Sequence, residues 1–350
     1  MKRAFTYQFL KTKGVDPQLF SLSNALVDLK AKAEERKRNN GSIFDKLETI
    51  AIVESVKGSN AIEGIFSTQE RVKAIVEKGA TPLDHAEEEI AGYHDATKFL
   101  KDHYEDLDFD EATIRELHRL LVSRHAGHKG GEYKKADNII AEKDEAGEVK
   151  RVVFTPVAAK DTADAMKRLC LAYQAARDDY EIHPLLLIPC VIVDFLSIHP
   201  FGDGNGRVSR LLTLLLLYKA GYDIGRFISF EATIHEYKWN YYDALSRSQA
   251  RWHEGENDYT PFIIFTFQVL YRCYKEINRR LIGVGYEKAG KSSRVEAVIL
   301  QSIVPMSKAE IASFLPDVSV ATIENALAKL LKQGKIRKIG VYSNARYIKV

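Results

Sequence analysis

The segment His199-Pro200-Phe201-Gly202-Asp203-Gly204-Asn205-Gly206-Arg207-Val208-Ser209-Arg210 crowds several kinds of reactive group into one short stretch. An imidazole that is neutral near pH 7 takes a proton from a hydroxyl. Asp203 offers hard carboxylate oxygens of the kind that hold Mg²⁺ against a diphosphate. Gly202, Gly204 and Gly206 allow a tight bend that brings backbone N–H groups close to an anion. A glycine-rich turn entering a helix adds free N–H donors and the positive end of the helix dipole. Arg207 and Arg210 are three apart, so one helix face carries both guanidiniums toward phosphate oxygens. The chemistry implied is a phosphate site with a base attached, suited to nucleotide-dependent transfer onto a hydroxyl.

Helices must hold these groups. Pro189 to Ile198 is apolar with helical spacing, and Pro200 ends it, so His199 sits at the exit of a buried helix. Beyond the motif, Val208–Ala220 continues as a second buried helix ending at Gly221.

The string resembles the signature of the Fic family, His-Pro-Phe-x-Asp/Glu-Gly-Asn-Gly-Arg-x-x-Arg, and every fixed position matches. The resemblance covers roughly residues 20–280. It implies that His199 is the general base toward a Ser, Thr or Tyr hydroxyl of a target protein, and that Asp203 carries Mg²⁺. It implies an anion hole at Gly204, Asn205 and Gly206 for the inner phosphates, with Arg207 and Arg210 on the outer ones. The usual reaction of the family transfers AMP from ATP to protein and releases pyrophosphate. ATP is the expected donor, since other donors go with altered motifs.

Upstream, Ser59-Asn60-Ala61-Ile62-Glu63-Gly64 is similar to the family's inhibitory pattern, Ser/Thr-x-x-x-Glu-Gly/Asn. Glu54–Glu63 reads as a helix with Gly64 in the C-cap position. If that helix packs on the core, Glu63 pairs with Arg210 and takes the place of the γ-phosphate. The resemblance leaves a second role open for Glu63: activating water, so that the same site removes AMP from a modified protein.

Most of the chain reads as helix. Ser21–Arg38, Asp45–Glu63, Thr68–Lys78 with Thr68 as N-cap, Asp84–Tyr104, and Asp110–Val122 with Asp110 as cap come first. Between Gly130 and Pro156 the rhythm changes. Asn138-Ile139-Ile140, Glu145-Ala146-Gly147-Glu148 and Val149–Phe154 read as a β-hairpin. In the family a hairpin here is a flap, which implies that Val152, Val153 and Phe154 present an edge to an extended target segment. Helix Asp161–Tyr180 follows, with Asp161 as N-cap. His235–Arg251 is a helix bearing Tyr241 and Tyr242, a pair that the resemblance sets against adenine. Gln249 stands where family members often carry an adenine-binding Asn. Phe262–Leu281 is the last core helix.

Gly283–Lys291 has the composition of a linker. The C-terminal segment beyond it resembles a winged helix-turn-helix. Arg294–Ile303, Ser307–Phe314 with a Ser307/Glu310 capping box, and Ser319–Gln333 are its helices, with a turn at Pro316-Asp317-Val318. Ile336–Ile339 and Tyr342–Ile348 form a two-stranded wing. Residues 285–350 carry 11 Lys+Arg against 5 Asp+Glu, a balance of +6; the rest carries 40 against 43. DNA contact through Lys329, Lys332, Lys335, Arg337, Lys338 and Arg346 is one reading. The modest polar surface of the third helix favours a protein or intramolecular role. The expected organisation is an N-terminal helical region (1–90), a Fic core (91–283) and the winged helix (291–350).

The fold class is therefore mainly α: a Fic helical bundle with a hairpin flap and a C-terminal winged helix-turn-helix. The function expected is a protein adenylyltransferase restrained by Glu63; a DNA-binding regulator whose core senses nucleotide is the alternative. The partners implied are a target protein and ATP, with self-modification and a homodimer open to it. Charged residues at 28% and hydrophobic ones at 45% are ordinary for a globular protein. The apolar stretches are too short to span a bilayer, and the basic N-terminus lacks the apolar core of a signal peptide. Cys170, Cys190 and Cys273 are few, odd in number and in apolar contexts, which suits reduced thiols of a cytoplasmic protein.

Overall fold

A computed structural model describes residues 4–350, apart from 13, 15, 40, 125–129, 144–148, 282–289, 303, 304, 316, 317 and 341–344. The chain forms two compact units, residues 1–27 with 45–273, and 28–44 with 274–350.

The first part of the chain is helical: α1 (Phe9–Thr12), α2 (Pro17–Asn39), α3 (Gly41–Ile62), α4 (Gln69–Lys78), α5 (His85–His103) and α6 (Glu111–Leu121). Local signals set the boundaries. The Thr68 side chain accepts the Arg71 N–H to start α4, and Gly79, at φ 63°, ends it in the left-handed region. Asp84 caps α5 and Asp110 caps α6 in the same way. On α6, Ile114, Leu117, His118 and Leu121 repeat at helical spacing and are buried.

A two-stranded antiparallel sheet follows, β1 (Ile140–Lys143) with β2 (Val149–Phe154), its register broken at two points. The expected turn at residues 145–148 lies outside the described residues. Next come α7 (Ala159–Arg177), α8 (Pro184–Ile198) and α9 (Asn205–Lys219). α7 starts two residues before Asp161. Its first N–H is taken from outside the helix, by Asp137 Oδ1 at 2.7 Å from Ala159 N, so Asp161 falls in the first turn and is not the cap. α8 starts five residues ahead of Pro189, at Pro184, with His183 Nδ1 accepting the Leu185 N–H. Pro189 lies inside it as its sixth residue, where it removes the one backbone hydrogen bond that would reach the Leu185 carbonyl.

α8 and α9 form the centre of the first unit. Leu185 and every residue from Leu187 to Ile198 are buried, as is every residue from Arg207 to Tyr218. Helices apolar all round belong in the interior. A 3₁₀ turn (Asp223–Arg226), α10 (Phe230–Glu236), α11 (Lys238–Gln249) and α12 (Thr260–Arg280) complete this part of the chain. The helix expected over His235–Arg251 is two: Ser229 caps the short α10 through the Ala232 N–H, and α11 starts anew at Lys238.

In the second unit, α13 (Lys291–Gln301), α14 (Lys308–Phe314) and α15 (Val320–Lys332) pack with β3 (Met306–Ser307), β4 (Ile336–Ile339) and β5 (Arg346–Lys349). The strands form an antiparallel sheet in the order β3-β5-β4. The sheet has a third strand beyond the expected two. β3 has only two residues, too few for an alternating pattern, yet Met306 is buried opposite Tyr347. Ser307 and Glu310 make the capping box of α14. Ile323, Ala326, Leu327 and Leu330 give α15 one buried face. The linker at 282–289, the turn at Pro316-Asp317 and the start of the second wing strand at 342–344 lie outside the described residues.

Candidate active site

The motif is the connection between α8 and α9. Asn205 closes it: its Oδ1 accepts the Phe201 N–H and its Nδ2 donates to the Phe201 carbonyl, both at 2.9 Å. Its side-chain amide is thus spent inside the turn, and what it offers outward is backbone. Gly204 sits at φ 76° as N-cap of α9 without any side-chain cap. Only glycine adopts this geometry freely, and the first N–H groups of α9 have no intrahelical partner. The turn therefore presents an uncapped, positive helix end.

His199 ends α8 with φ 52° and ψ 63°. A left-handed conformation costs a non-glycine residue free energy, and such residues cluster at functional sites. Its Nδ1 lies 3.3 Å from the Leu196 carbonyl. A carbonyl only accepts, so Nδ1 carries the proton and Nε2 keeps the lone pair. Burial holds the imidazole down at about 4 and the Lys134 charge adds to that, while the Leu196 carbonyl, Glu63 and Asp203 act in the opposite sense. His199 is a neutral base at pH 7.

Arg207 and Arg210 are each 2% exposed. Arg207 pairs with Glu89 through Nη1, and its Nη2 lies 3.3 Å from Asp203 Oδ2. Arg210 is gripped from α3: Nε donates to Ser59 Oγ at 2.8 Å and Nη2 to the Ser59 carbonyl at 3.0 Å. That carbonyl is available because the end of α3 tightens, with Glu63 N–H bonding Asn60 O instead. Arg210 Nη2 also donates to Glu63 Oε1 at 2.8 Å. Glu63 itself lies just past the last residue of α3. Burial pushes its carboxyl up, but Arg210 and Arg207 outweigh that, and it is held below the usual carboxylate range. A Cβ on Gly206 would meet Glu63 Oε1 at 2.2 Å, so this carboxylate lies directly against the start of α9.

Two buried N–H groups, Arg207 Nε and Arg210 Nη1, have no hydrogen-bond partner among the described residues. Unpaired guanidinium donors beside an uncapped helix end fit an anion with several oxygens, as a triphosphate has. Asp203 keeps 80% of its side-chain exposure. No cluster of three metal-ligating side chains occurs among the described residues. One open carboxylate suits Mg²⁺, which takes few protein ligands and completes its shell with phosphates and water.

The residues expected at adenine separate. Tyr241 is 4% exposed and packs against Phe262 and Phe265, and Gln249 is buried with Nε2 on Ser197 Oγ at 3.1 Å. Neither presents an open face. Tyr242 is accessible, with its hydroxyl 3.5 Å from the Ile62 carbonyl. On the hairpin, Val152 is exposed, while Val153 and Phe154 are half-buried; Phe154 stacks on His253.

Sequence reasoning passed over His118. Its ring stacks on Phe201 with centroids 3.8 Å apart, its Nδ1 accepts the Gly131 N–H, and it hydrogen-bonds the Asp203 backbone. It braces the motif turn from α6. Its only signal was one polar residue on an apolar helical face, which is shared by many core histidines.

Residues 108–217 match the family model described as Fic/DOC family. A protein from Nematostella vectensis named protein adenylyltransferase Fic is 27% identical over 226 residues, covering 61% of this chain and 46% of that protein. The chain thus spans less than half the length of the curated relatives it matches. A Fic family protein from Desulfovibrio desulfuricans superimposes with a TM-score of 0.60 at 20% identity, over 97% of each chain. A Fic domain-containing signaling protein from Bacteroides thetaiotaomicron gives 0.60 at 24%, over 72% of this chain and 96% of that one. These likenesses agree with the helical architecture, and among the described residues no helix is long and apolar enough to cross a membrane. The chain thus carries a Fic/DOC domain at residues 108–217.

Proposed function

We propose that this chain is a protein adenylyltransferase that moves AMP from ATP to a hydroxyl of a target protein. The observation that carries the reading is a neutral imidazole and two unpaired buried guanidinium N–H groups at the two ends of one turn. The hydroxyl oxygen attacks the α-phosphorus while its proton passes to His199 Nε2. The bond from the α-phosphorus to the bridging oxygen breaks, and pyrophosphate leaves. Little covalent work falls to the protein; positioning and charge stabilisation supply the rate. The uncapped N–H groups of α9 would face the inner phosphates, and Arg207 and Arg210 the outer ones. Asp203 would hold Mg²⁺, which supplies charge neutralisation on the phosphates. The outer edge of β2 would take the target segment as an added strand.

Glu63 is the restraint in this reading. Its carboxylate uses an Arg210 N–H that a γ-phosphate would need. The second unit, taken as a winged helix, would serve protein contact more readily than DNA: Lys335 and Arg346 are already paired with Glu296 and Glu310.

The test is transfer of label from ATP carrying radioactive α-phosphate. Glu63→Gly protein should label itself or proteins of a lysate, and the Glu63→Gly/His199→Ala double variant should not. Label persisting in the double variant would remove His199 from the role of base.

A further inference from the structure

Residue 134 holds the chain on both sides of His199. The Lys134 backbone N–H donates to the Pro200 carbonyl at 2.8 Å. Its ammonium donates to the Ile198 carbonyl at 3.1 Å. The carbonyls before and after His199 are thus gripped by one residue from another segment. The Ile198 carbonyl belongs to the last turn of α8, where carbonyls lack helical partners and a cation is favoured. The ammonium also donates to Asn138 Oδ1 at 2.9 Å, and Asn138 Nδ2 reaches the Phe201 carbonyl at 3.4 Å. Asn138 lies two residues before β1, so the same clamp ties the base of the hairpin to the motif turn.

We propose that Lys134 is a positioning residue for His199: it clamps residues 198 and 200, fixes the left-handed backbone between them, and registers the hairpin against the base. His199 needs such a clamp, because nothing in an α-helix end obliges a non-glycine residue to adopt φ 52°. Burying an ammonium is costly. Lys134 is 7% exposed, and its burial lowers its own pKa to about 8 although Asp137 opposes this. Among the described residues, the charged groups with the largest effect on the His199 ring are Lys134, Glu63 and Asp203. Of these Lys134 is the cation, and it favours the neutral imidazole.

The inference rests on His199 as the base only for its kinetic arm. The deciding experiment is titration of the His199 ring by NMR in full-length protein with isotope-labelled histidine. Lys134→Met should raise the His199 midpoint toward the ordinary imidazole range and mix its two tautomers, and Lys134→Arg should restore both. If Lys134→Met does not fold, Lys134→Gln takes its place: it keeps a donor without the charge, so the midpoint rises while the tautomer stays. Unchanged midpoint and tautomer overturn the inference. In a Glu63→Gly background, Lys134→Met should lower kcat about tenfold with the KM for ATP nearly unchanged. A raised KM with normal kcat would instead put Lys134 in nucleotide binding and overturn it. Absence of all labelling in Glu63→Gly would defeat the adenylyltransferase reading, while the ring titration would still decide Lys134.

Discussion

Glu63 Oε1 accepts from Arg210 Nη2 at 2.8 Å and lies where a Cβ on Gly206 would collide with it at 2.2 Å. One carboxylate therefore covers an outer guanidinium and the start of α9 together. In the proposed reading, a triphosphate that reaches Arg210 must displace it. Glu63→Gly should tighten ATP by a factor on the order of 5 to 150, the usual range for coupled sites. ADP, which lacks the γ-phosphate, should gain little. Calorimetric titration of both nucleotides into wild type and variant measures this. Equal gains for ATP and ADP would show that Glu63 does not stand in the γ-phosphate seat.

α3 is held down by more than Glu63. Ser55 Oγ bonds the buried Glu231 at 2.8 Å, and Gly58 rests on the backbone of α10. A Cβ at position 58 would lie 2.7 Å from Ala232 N and 2.8 Å from its Cα, and backbone cannot yield cheaply. Gly58→Ala should cost about 1–3 kcal/mol through overpacking. It should also raise labelling with Glu63 intact, because the helix carrying Glu63 is levered from its seat. Thermal unfolding and the labelling assay on one preparation test both halves. A lowered Tm with no gain in labelling would separate the seating of α3 from restraint.

Acidity should act late. A free imidazole loses its base function as pH falls through about 6.5. Burial holds His199 at about 4, so labelling by Glu63→Gly protein should stay level from pH 7 to 5 and fall only near 4. The stability effect has the opposite reach. Between about 6.5 and 4 the unfolded chain binds a proton at this histidine and the folded chain does not, so stability declines as pH drops through that window. Initial labelling rates and Tm against pH give the two curves. A rate that turns down at 6.5 would mean a hydrated ring.

The motif could be read because its requirements are local. Glycine at 204 answers a positive φ, and a Pro-Phe step after a buried helix marks its end. Caps at Thr68, Asp110 and Ser307 were readable for the same reason, since each serves N–H groups within three residues. What escaped came from distant partners. Asp137 serves the start of α7 from 22 residues away, Lys134 reaches 64 residues to Ile198, and His118 braces a turn more than 80 positions on. β3 was too short to leave a pattern. Tyr241 and Gln249 show the converse: a position matched by resemblance still takes its surroundings from tertiary packing, here aromatic neighbours and Ser197.

Five residues before His199, Asp194 gathers three donors in full burial. Tyr7 Oη bonds Oδ2 at 2.8 Å, while Trp252 Nε1 and Tyr259 Oη bond Oδ1 at 2.6 and 2.8 Å. The N-terminal segment, α8 and the connection between α11 and α12 meet at this carboxylate. Removing one partner of a buried charge costs more than the bond itself, because the rest stays desolvated. Tyr7→Phe should lose about 1–3 kcal/mol. Asp194→Ala, which strands three donors, should lose about 3–5 kcal/mol. Asp194→Asn should fall between, since its amide oxygen still accepts from Trp252 and Tyr259 while the Tyr7 hydroxyl turns to accept from its NH₂. Urea unfolding of the three variants ranks them. A smaller loss for Asp194→Ala than for Tyr7→Phe would mean that the carboxylate is not what holds the N-terminal segment to α8.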